Sequence, residues 1–151
     1  MKQMDYAVEL ASLAYGSGCF DYIILHGSVA KNTMHEESDI DMLLIEDENN
    51  KKQVSKMEKI FRKARSIPFY VDLEFLETAA LKDDSYIRSR LEKLENPALY
   101  INYLWNGLVF DGNSFSEKSR EDVFFMSCIE KMISMIQTFN PKKYRIRKEY
   151  K

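Results

Sequence analysis

The sequence predicts a single α+β domain in which helices cover a small mixed β-sheet. At 151 residues the chain has the length of one domain with a sizeable core. Short apolar runs bounded by turn residues alternate along it with segments whose apolar residues recur at helical spacing. Three such runs among helices predict a small sheet that is covered mainly on one face.

The first half of the chain predicts helix, strand, strand. Residues 3–15 place apolar side chains at helical spacing, and Gly16 and Gly18 follow as stop signals. The run at residues 21–26 is bounded by glycine and suits a buried strand. The run at 40–45 is a second strand, because acidic and amide residues typical of a turn follow it.

The middle of the chain predicts another helix and a third strand. Residues 51–65 return to helical spacing, with four apolar side chains on one face: Val54, Met57, Phe61 and Ala64. From Phe69 to Leu76 apolar and polar residues alternate strictly. Since successive side chains of a strand point to opposite faces, this strand has an apolar face and a carboxylate face.

The last third predicts mainly helices. Thr78 is expected to cap a helix that ends near Leu94, and Asn96 opens another. A short strand at 108–110 precedes a turn, and Ser116 is expected to cap a long apolar helix.

These elements predict three parts of the chain. Residues 1–112 form the main domain, 113–141 form a helix that packs on it or on a partner, and 142–151 form a basic tail. Because the helix from Glu117 carries a wide apolar stripe, a second copy of the chain is one candidate partner.

Charge and composition exclude several classes of protein. The 45% of hydrophobic and 30% of charged residues exclude a disordered or fibrous chain. A net charge of −2 gives no argument for a nucleic-acid partner, although residues 142–151 carry +5 and the rest −7. No apolar run reaches the length of a membrane span, and the first residues do not read as a secretory signal. Two isolated cysteines favour a reducing cytoplasm.

A group of polar residues at the ends of the first two strands indicates chemistry. Asp39 and Asp41 are two apart in an extended segment, so they project from one face. Two carboxylates on one face repel each other unless a cation lies between them, and oxygen ligands favour Mg²⁺. A third carboxylate from the next strand could complete the site, with Asp72 as the first choice and Glu74, on the same face, as the second. Two such ions can stabilise both oxygens of an in-line phosphoryl displacement.

The segment before this pair suits a triphosphate. Gly27 lets the backbone approach a phosphate closely, and the Ser28 hydroxyl and the amides of a following helical turn can donate to it. His26 and His35 flank the segment and are interpreted as a hydrogen-bonded strand-end residue and a surface loop residue.

These residues resemble a known family. A hydrophobic residue, Gly-Ser, ten residues and then Asp-hydrophobic-Asp-hydrophobic is similar to the signature of the DNA polymerase β-like nucleotidyltransferase superfamily. The short chain and the segments GSVAK and SDIDMLL look like its minimal nucleotidyltransferases. The resemblance is close from Asp21 to Leu76 and weak afterwards.

The resemblance implies the polymerase β-like fold and a role for each matching residue. Gly27, Ser28 and Lys31 would contact the triphosphate, and Asp39 and Asp41 would ligate both metal ions, Mg²⁺ or Mn²⁺. Asp72, which the family pattern favours over Glu74, would ligate one ion and help to activate a hydroxyl acceptor. The reaction would transfer AMP from ATP, or another nucleoside monophosphate, and release pyrophosphate.

One departure from the family pattern affects the loop after the glycine. Relatives often carry Arg-Gly where this chain has Lys31 and Asn32. Lysine keeps the positive charge but lacks the guanidinium fork. Without the glycine, the loop is expected to follow a different path.

The acceptor is a protein or a small molecule. Minimal nucleotidyltransferases are often paired with a small helical HEPN protein, which they modify and neutralise as antitoxins. This chain has no Arg-x4-6-His motif of that kind, so such a toxin would be a separate chain. The alternatives are an aminoglycoside-type antibiotic nucleotidyltransferase and a non-catalytic module that docks a partner.

Overall fold

The protein contains one five-stranded mixed sheet. The structure, a computed structural model, describes residues 2–46, 54–78, 80–117 and 122–139. The strands lie in the order β3-β2-β1-β4-β5. The β2–β3 pair is parallel and the other pairs are antiparallel. Their bounds are β1 Phe20–His26, β2 Ile40–Glu46, β3 Val71–Glu77, β4 Leu108–Phe110 and β5 Phe115–Ser116.

Helices connect these strands and follow them. Within the described residues they are α1 Gln3–Ser17, α2 Gly27–Ala30, α3 Val54–Ser66, α4 Asp84–Lys93, α5 Pro97–Trp105 and α6 Val123–Phe139, with a short 3-10 turn at Ala80–Lys82. The predicted class, a small mixed sheet with helices and a C-terminal helical extension, is therefore confirmed. None of the helices in the described part of the chain is long and apolar enough to cross a membrane.

The sheet is covered on both faces, so the prediction of one main covered face is wrong. On one face, Ile24, Leu43 and Ile45 belong to a core with residues of α4, α5 and α6. On the other, Leu25 and Leu44 belong to a core with residues of α1 and α3. Strands buried on both faces read as continuous apolar runs instead of alternating ones.

Two helix caps differ from their predicted positions. Asp83, not Thr78, caps α4, because its side chain accepts from the amides of Ser85 and Tyr86. Asp122 Oδ1 accepts from the amide of Phe125, 2.8 Å away, at the start of α6, whereas Ser116 lies in β5. Capping needs an oxygen side chain next to the first turn, and several residues in each segment offer one.

Helix α3 packs on the sheet with a slightly rotated face. Ile60 is 1% exposed and Met57 6%, whereas Phe61 is 39% exposed and contacts the ring of Phe75 at the sheet edge. The side chain of Val54 lies outside the described residues.

The apolar stripe of α6 is buried within this chain. Seven of its side chains contribute to the core shared with α4 and α5: Phe125, Cys128, Ile129, Met132, Ile133, Met135 and Ile136. The stripe is therefore covered by the chain itself. The predicted basic tail, 142–151, lies outside the described residues.

Candidate active site

Three polar residues face one another across adjacent strands at one end of the sheet. His26 of β1 lies opposite Asp41 of β2, and Asp41 lies opposite Asp72 of β3. Directly opposed residues project from the same face of a sheet. The three side chains therefore form a row, and Asp39, two residues before Asp41, is exposed beside it.

Gly27 follows His26 and turns the chain into α2. It has a φ of 74°, in the left-handed region that favours glycine. A Cβ at this position would overlap the Asp41 carboxylate and lie 3.3 Å from its Cγ. Glycine is therefore needed here for the backbone conformation and for the close approach to Asp41.

The turn after Gly27 is the segment for which the sequence predicts triphosphate binding. Residues Gly27–Ala30 form a single helical turn, and the first amides of such a turn have no carbonyl within it to donate to. Ser28 is half-buried and Lys31 is exposed. The Ser28 carbonyl accepts from the amide of Thr33 at 2.9 Å, which closes the turn.

Asn32 takes the left-handed conformation that a glycine would adopt. Its φ is 56°, and asparagine is among the residues that tolerate this region best. The backbone at this position therefore keeps a conformation suited to glycine. The different loop path that we expected from the missing glycine is not required at this residue.

The carboxylates of the site act on one another. Burial, together with the charges of Asp72 and Asp39, raises the pKa of Asp41 to about 6. Burial lowers the pKa of His26 to about 4, with Asp72 acting in the opposite direction. At neutral pH the row therefore holds a neutral imidazole and closely spaced negative charges, an arrangement that a cation would stabilise.

The donor chemistry of the site suits a hard divalent cation. Asp39, Asp41 and Asp72 offer only carboxylate oxygens, the ligands that Mg²⁺ prefers. Among the residues that the structure describes, no three His, Cys, Asp or Glu side chains converge closely enough to hold an ion. Binding would therefore need side-chain rotation within the row.

Glu74 has a different partner from Asp72. It lies opposite Leu43 and forms an ion pair with Arg90 of α4. Asp72 is exposed and acts electrostatically on Asp41 and His26. Sequence reasoning missed Arg90, because the local pattern of α4 gives no signal for a contact with β3.

His35 lies in the loop between α2 and β2, as expected of a surface loop residue. It is exposed, and its Nδ1 accepts from the amide of Glu37 at 3.2 Å.

Taken together, these features define a class of protein. A mixed sheet, a glycine-led helical turn after its first strand and acidic residues on the next two strands are typical of nucleotidyltransferase domains. The chain belongs to the family described as "Polymerase beta, Nucleotidyltransferase", whose model matches residues 14–90. This match confirms the family resemblance.

Two further comparisons complete the picture. A solved structure described as "Crystal structure of the toxin-antitoxin with AMP-PNP" is similar to this chain, with a TM-score of 0.48 and 17% sequence identity over 93% of this chain and 91% of that chain. None of the curated proteins matches the chain.

Proposed function

We propose that the chain transfers AMP from ATP to a hydroxyl group and releases pyrophosphate. The observation that carries the proposal is the opposition of Asp41 and Asp72 across neighbouring strands, beside the turn that begins at Gly27. Family membership supports nucleotidyl transfer as the reaction class.

In the proposed reaction the acceptor oxygen forms a bond to the α-phosphorus, and the bond from that phosphorus to the bridging oxygen of pyrophosphate breaks. Asp72 accepts the proton of the acceptor hydroxyl, which makes the oxygen a better nucleophile. The amides of α2, the Ser28 hydroxyl and the Lys31 ammonium bind the triphosphate and orient it.

Asp39, Asp41 and Asp72 would hold the metal ions of the reaction. Two bound Mg²⁺ or Mn²⁺ ions would supply positive charge at the phosphoryl oxygens and the leaving group. The remaining task of these residues is to hold their carboxylates side by side on a rigid sheet. That arrangement is costly without a cation, as the raised pKa of Asp41 indicates.

The proposed acceptor is a hydroxyl of a partner protein. The part of the chain that the structure describes consists mainly of the sheet and its covering helices, which favours an acceptor that a partner presents. The resemblance to minimal nucleotidyltransferases favours a small helical HEPN-type toxin, with this chain as its antitoxin. The proposed compartment is the cytoplasm, because Cys19 and Cys128 are free thiols.

The first experiment tests nucleotide binding and transfer with the full chain. Calorimetric titration with ATP and Mg²⁺, and transfer of α-labelled ATP to candidate proteins and aminoglycosides, should both give signals. Asp39→Asn with Asp41→Asn should lower transfer at least about a thousandfold. Glu37→Gln, which removes an exposed acid of the same loop, is the matched control. Full transfer by the double variant would contradict the proposal, and absence of metal-dependent nucleotide binding would favour a non-catalytic docking module.

A second pair of variants separates the two acids of β3. Asp72→Asn should abolish transfer without lowering the free energy of unfolding, because Asp72 is exposed and its charge repels that of Asp41. Glu74→Gln should retain transfer and lose about 1 kcal/mol of stability, because it weakens the pair with Arg90. The opposite result would assign the catalytic role to Glu74.

A further inference from the structure

The loop that connects α2 to β2 carries Asp39 and is anchored at both ends. At its start the Thr33 amide donates to the Ser28 carbonyl at 2.9 Å. At its end Ile40 is fully buried, and its amide donates to the carbonyl of Tyr70 at 2.9 Å. The position of Asp39 then depends on what holds the middle of the loop.

A glutamine from the first turn of α1 reaches that middle. Gln3 Nε2 donates to the carbonyl oxygen of His35 at 2.7 Å, and Gln3 is only 6% exposed. A buried amide that loses its hydrogen bond costs free energy, so this contact resists opening. It is also a hydrogen bond between α1 and the loop that carries Asp39.

A short turn connects His35, the residue that Gln3 contacts, to Asp39. The amide of His35 donates to Ser38 Oγ at 2.8 Å, and the amide of Ser38 donates back to the His35 carbonyl at 3.1 Å. Ser38 is 7% exposed, whereas Asp39, its neighbour, is exposed. Asp39 thus lies between two buried residues, Ser38 and Ile40, and one side of this anchor depends on Gln3.

We propose that Gln3 is a positioning residue, which fixes the loop so that Asp39 is held near Asp41, within reach of a divalent cation that both carboxylates bind. The proposal rests on the proposed function, because that function gives Asp39 its metal. Partners that orient a metal ligand are worth about ten- to a hundredfold in metal affinity or activity. A loop that must be ordered on binding would lose part of the affinity.

The test compares three variants of the full chain with the wild type. Gln3→Met keeps the size of the side chain and removes the donor, and Gln3→Glu replaces the donor by an acceptor that repels the His35 carbonyl. Glu9→Gln is the control, since it removes the negative charge from an ion pair of the same helix with Lys63 that does not reach the loop. The measurements are the dissociation constant of Mn²⁺ alone, amide hydrogen exchange of residues 33–40 and the thermal midpoint.

Both Gln3 variants should weaken Mn²⁺ binding by about tenfold and speed exchange in residues 35–39, whereas Glu9→Gln should change neither. Combining Gln3→Met with Asp39→Asn should give no further loss of Mn²⁺ affinity beyond Asp39→Asn, because the two act through one ligand. A purely structural role would lower the thermal midpoint without this coupling.

The outcomes separate this inference from the proposed function. Unchanged Mn²⁺ affinity in both Gln3 variants would overturn the inference, whether or not the chain transfers AMP. A wild-type chain that binds no Mn²⁺ would overturn it as well. The expected loss of affinity in a chain that transfers no nucleotide would support the inference and contradict the proposed function alone.

Discussion

At the scale of single residues, Gly27 is constrained both by its backbone conformation and by its close approach to Asp41. Gly27→Ala should be destabilised by about 1 kcal/mol from its positive φ and by about 2 kcal/mol more from the overlap with Asp41. Gly18→Ala is the matched control: it has a similar φ of 72° but open space around the added Cβ. Urea denaturation of the two variants checks this. Equal losses of stability in the two variants would show that the overlap with Asp41 does not contribute to the free energy of unfolding.

Asp41 should make the stability of the metal-free chain fall with pH. Its pKa rises from the ordinary value of 3.8 to about 6 on folding, so between these values the folded state holds a proton that the unfolded state has released. Stability therefore decreases as the pH rises from about 4 to 6, and the cost remains above 6. After allowance for solvent screening of a half-buried group, the decrease is about 1 kcal/mol.

The measurement for Asp41 is urea denaturation of the wild type and of Asp41→Asn from pH 4 to 8 without divalent ions. The difference between the two proteins isolates this carboxyl from the other acids. The wild type should lose stability relative to the variant as the pH rises, and Mg²⁺ at pH 7 should restore it in the wild type alone. A gain with rising pH would contradict the assigned cause.

The sequence suggests some residues of the candidate site and not others, for a physical reason. Strand alternation places Asp39, Asp41 and Asp72 on defined faces, and a glycine before a helical turn is a local signal. Local sequence patterns are therefore enough to suggest these residues. Gln3 and Arg90 act through tertiary contacts, with His35 and Glu74. No local pattern encodes which distant element a side chain will reach.

At the scale of elements, the start of α6 depends on Asp122. Its Oδ1 caps the helix, and its Oδ2 accepts from the Tyr22 hydroxyl of β1 at 2.8 Å. Asp122→Ala should therefore lose about 2 to 3 kcal/mol of stability, from a cap and a charge-assisted hydrogen bond. Tyr22→Phe, which removes the second contact only, should lose about 1 kcal/mol.

Ser116→Ala is the control for this cap, since Ser116 is the residue that the sequence suggested. It should change stability by less than about 0.5 kcal/mol, because the residue lies in β5. Chemical denaturation followed by circular dichroism checks all three variants. A larger loss of stability for Ser116→Ala than for Asp122→Ala would show that Ser116 caps α6, as the sequence predicts.

Element boundaries were harder to predict than element types. The periodicity of α1, α3 and α6 comes from burial along many residues, so it is visible in the sequence. A cap depends on a single side chain, so its position is harder to predict. The hydroxyl of Thr78, the predicted cap, lies instead 2.6 Å from the Asp21 carboxylate and 2.8 Å from the Glu46 carbonyl. A capping residue type can therefore be engaged elsewhere by tertiary contacts.

At the scale of the whole molecule, the sheet divides the apolar interior into two cores that share β2. Leu43 is 1% exposed and Leu44 is fully buried, and these neighbours point to opposite faces. Leu43 contributes to the core with α4, α5 and α6, and Leu44 to the core with α1 and α3. Because one strand carries residues of both cores, loss of either core should weaken the strand on which the other depends.

Leu43→Ala and Leu44→Ala should therefore each cost about 3 kcal/mol and each unfold in a single transition. Trp105 packs against the first core, so its fluorescence reports on that side, whereas far-ultraviolet circular dichroism reports on all helices. The two signals should coincide in both variants. If Leu44→Ala lost helical signal at a lower urea concentration than tryptophan signal, the cores would be independent. Only one of the two cores would then support the rigid sheet that the proposed site requires.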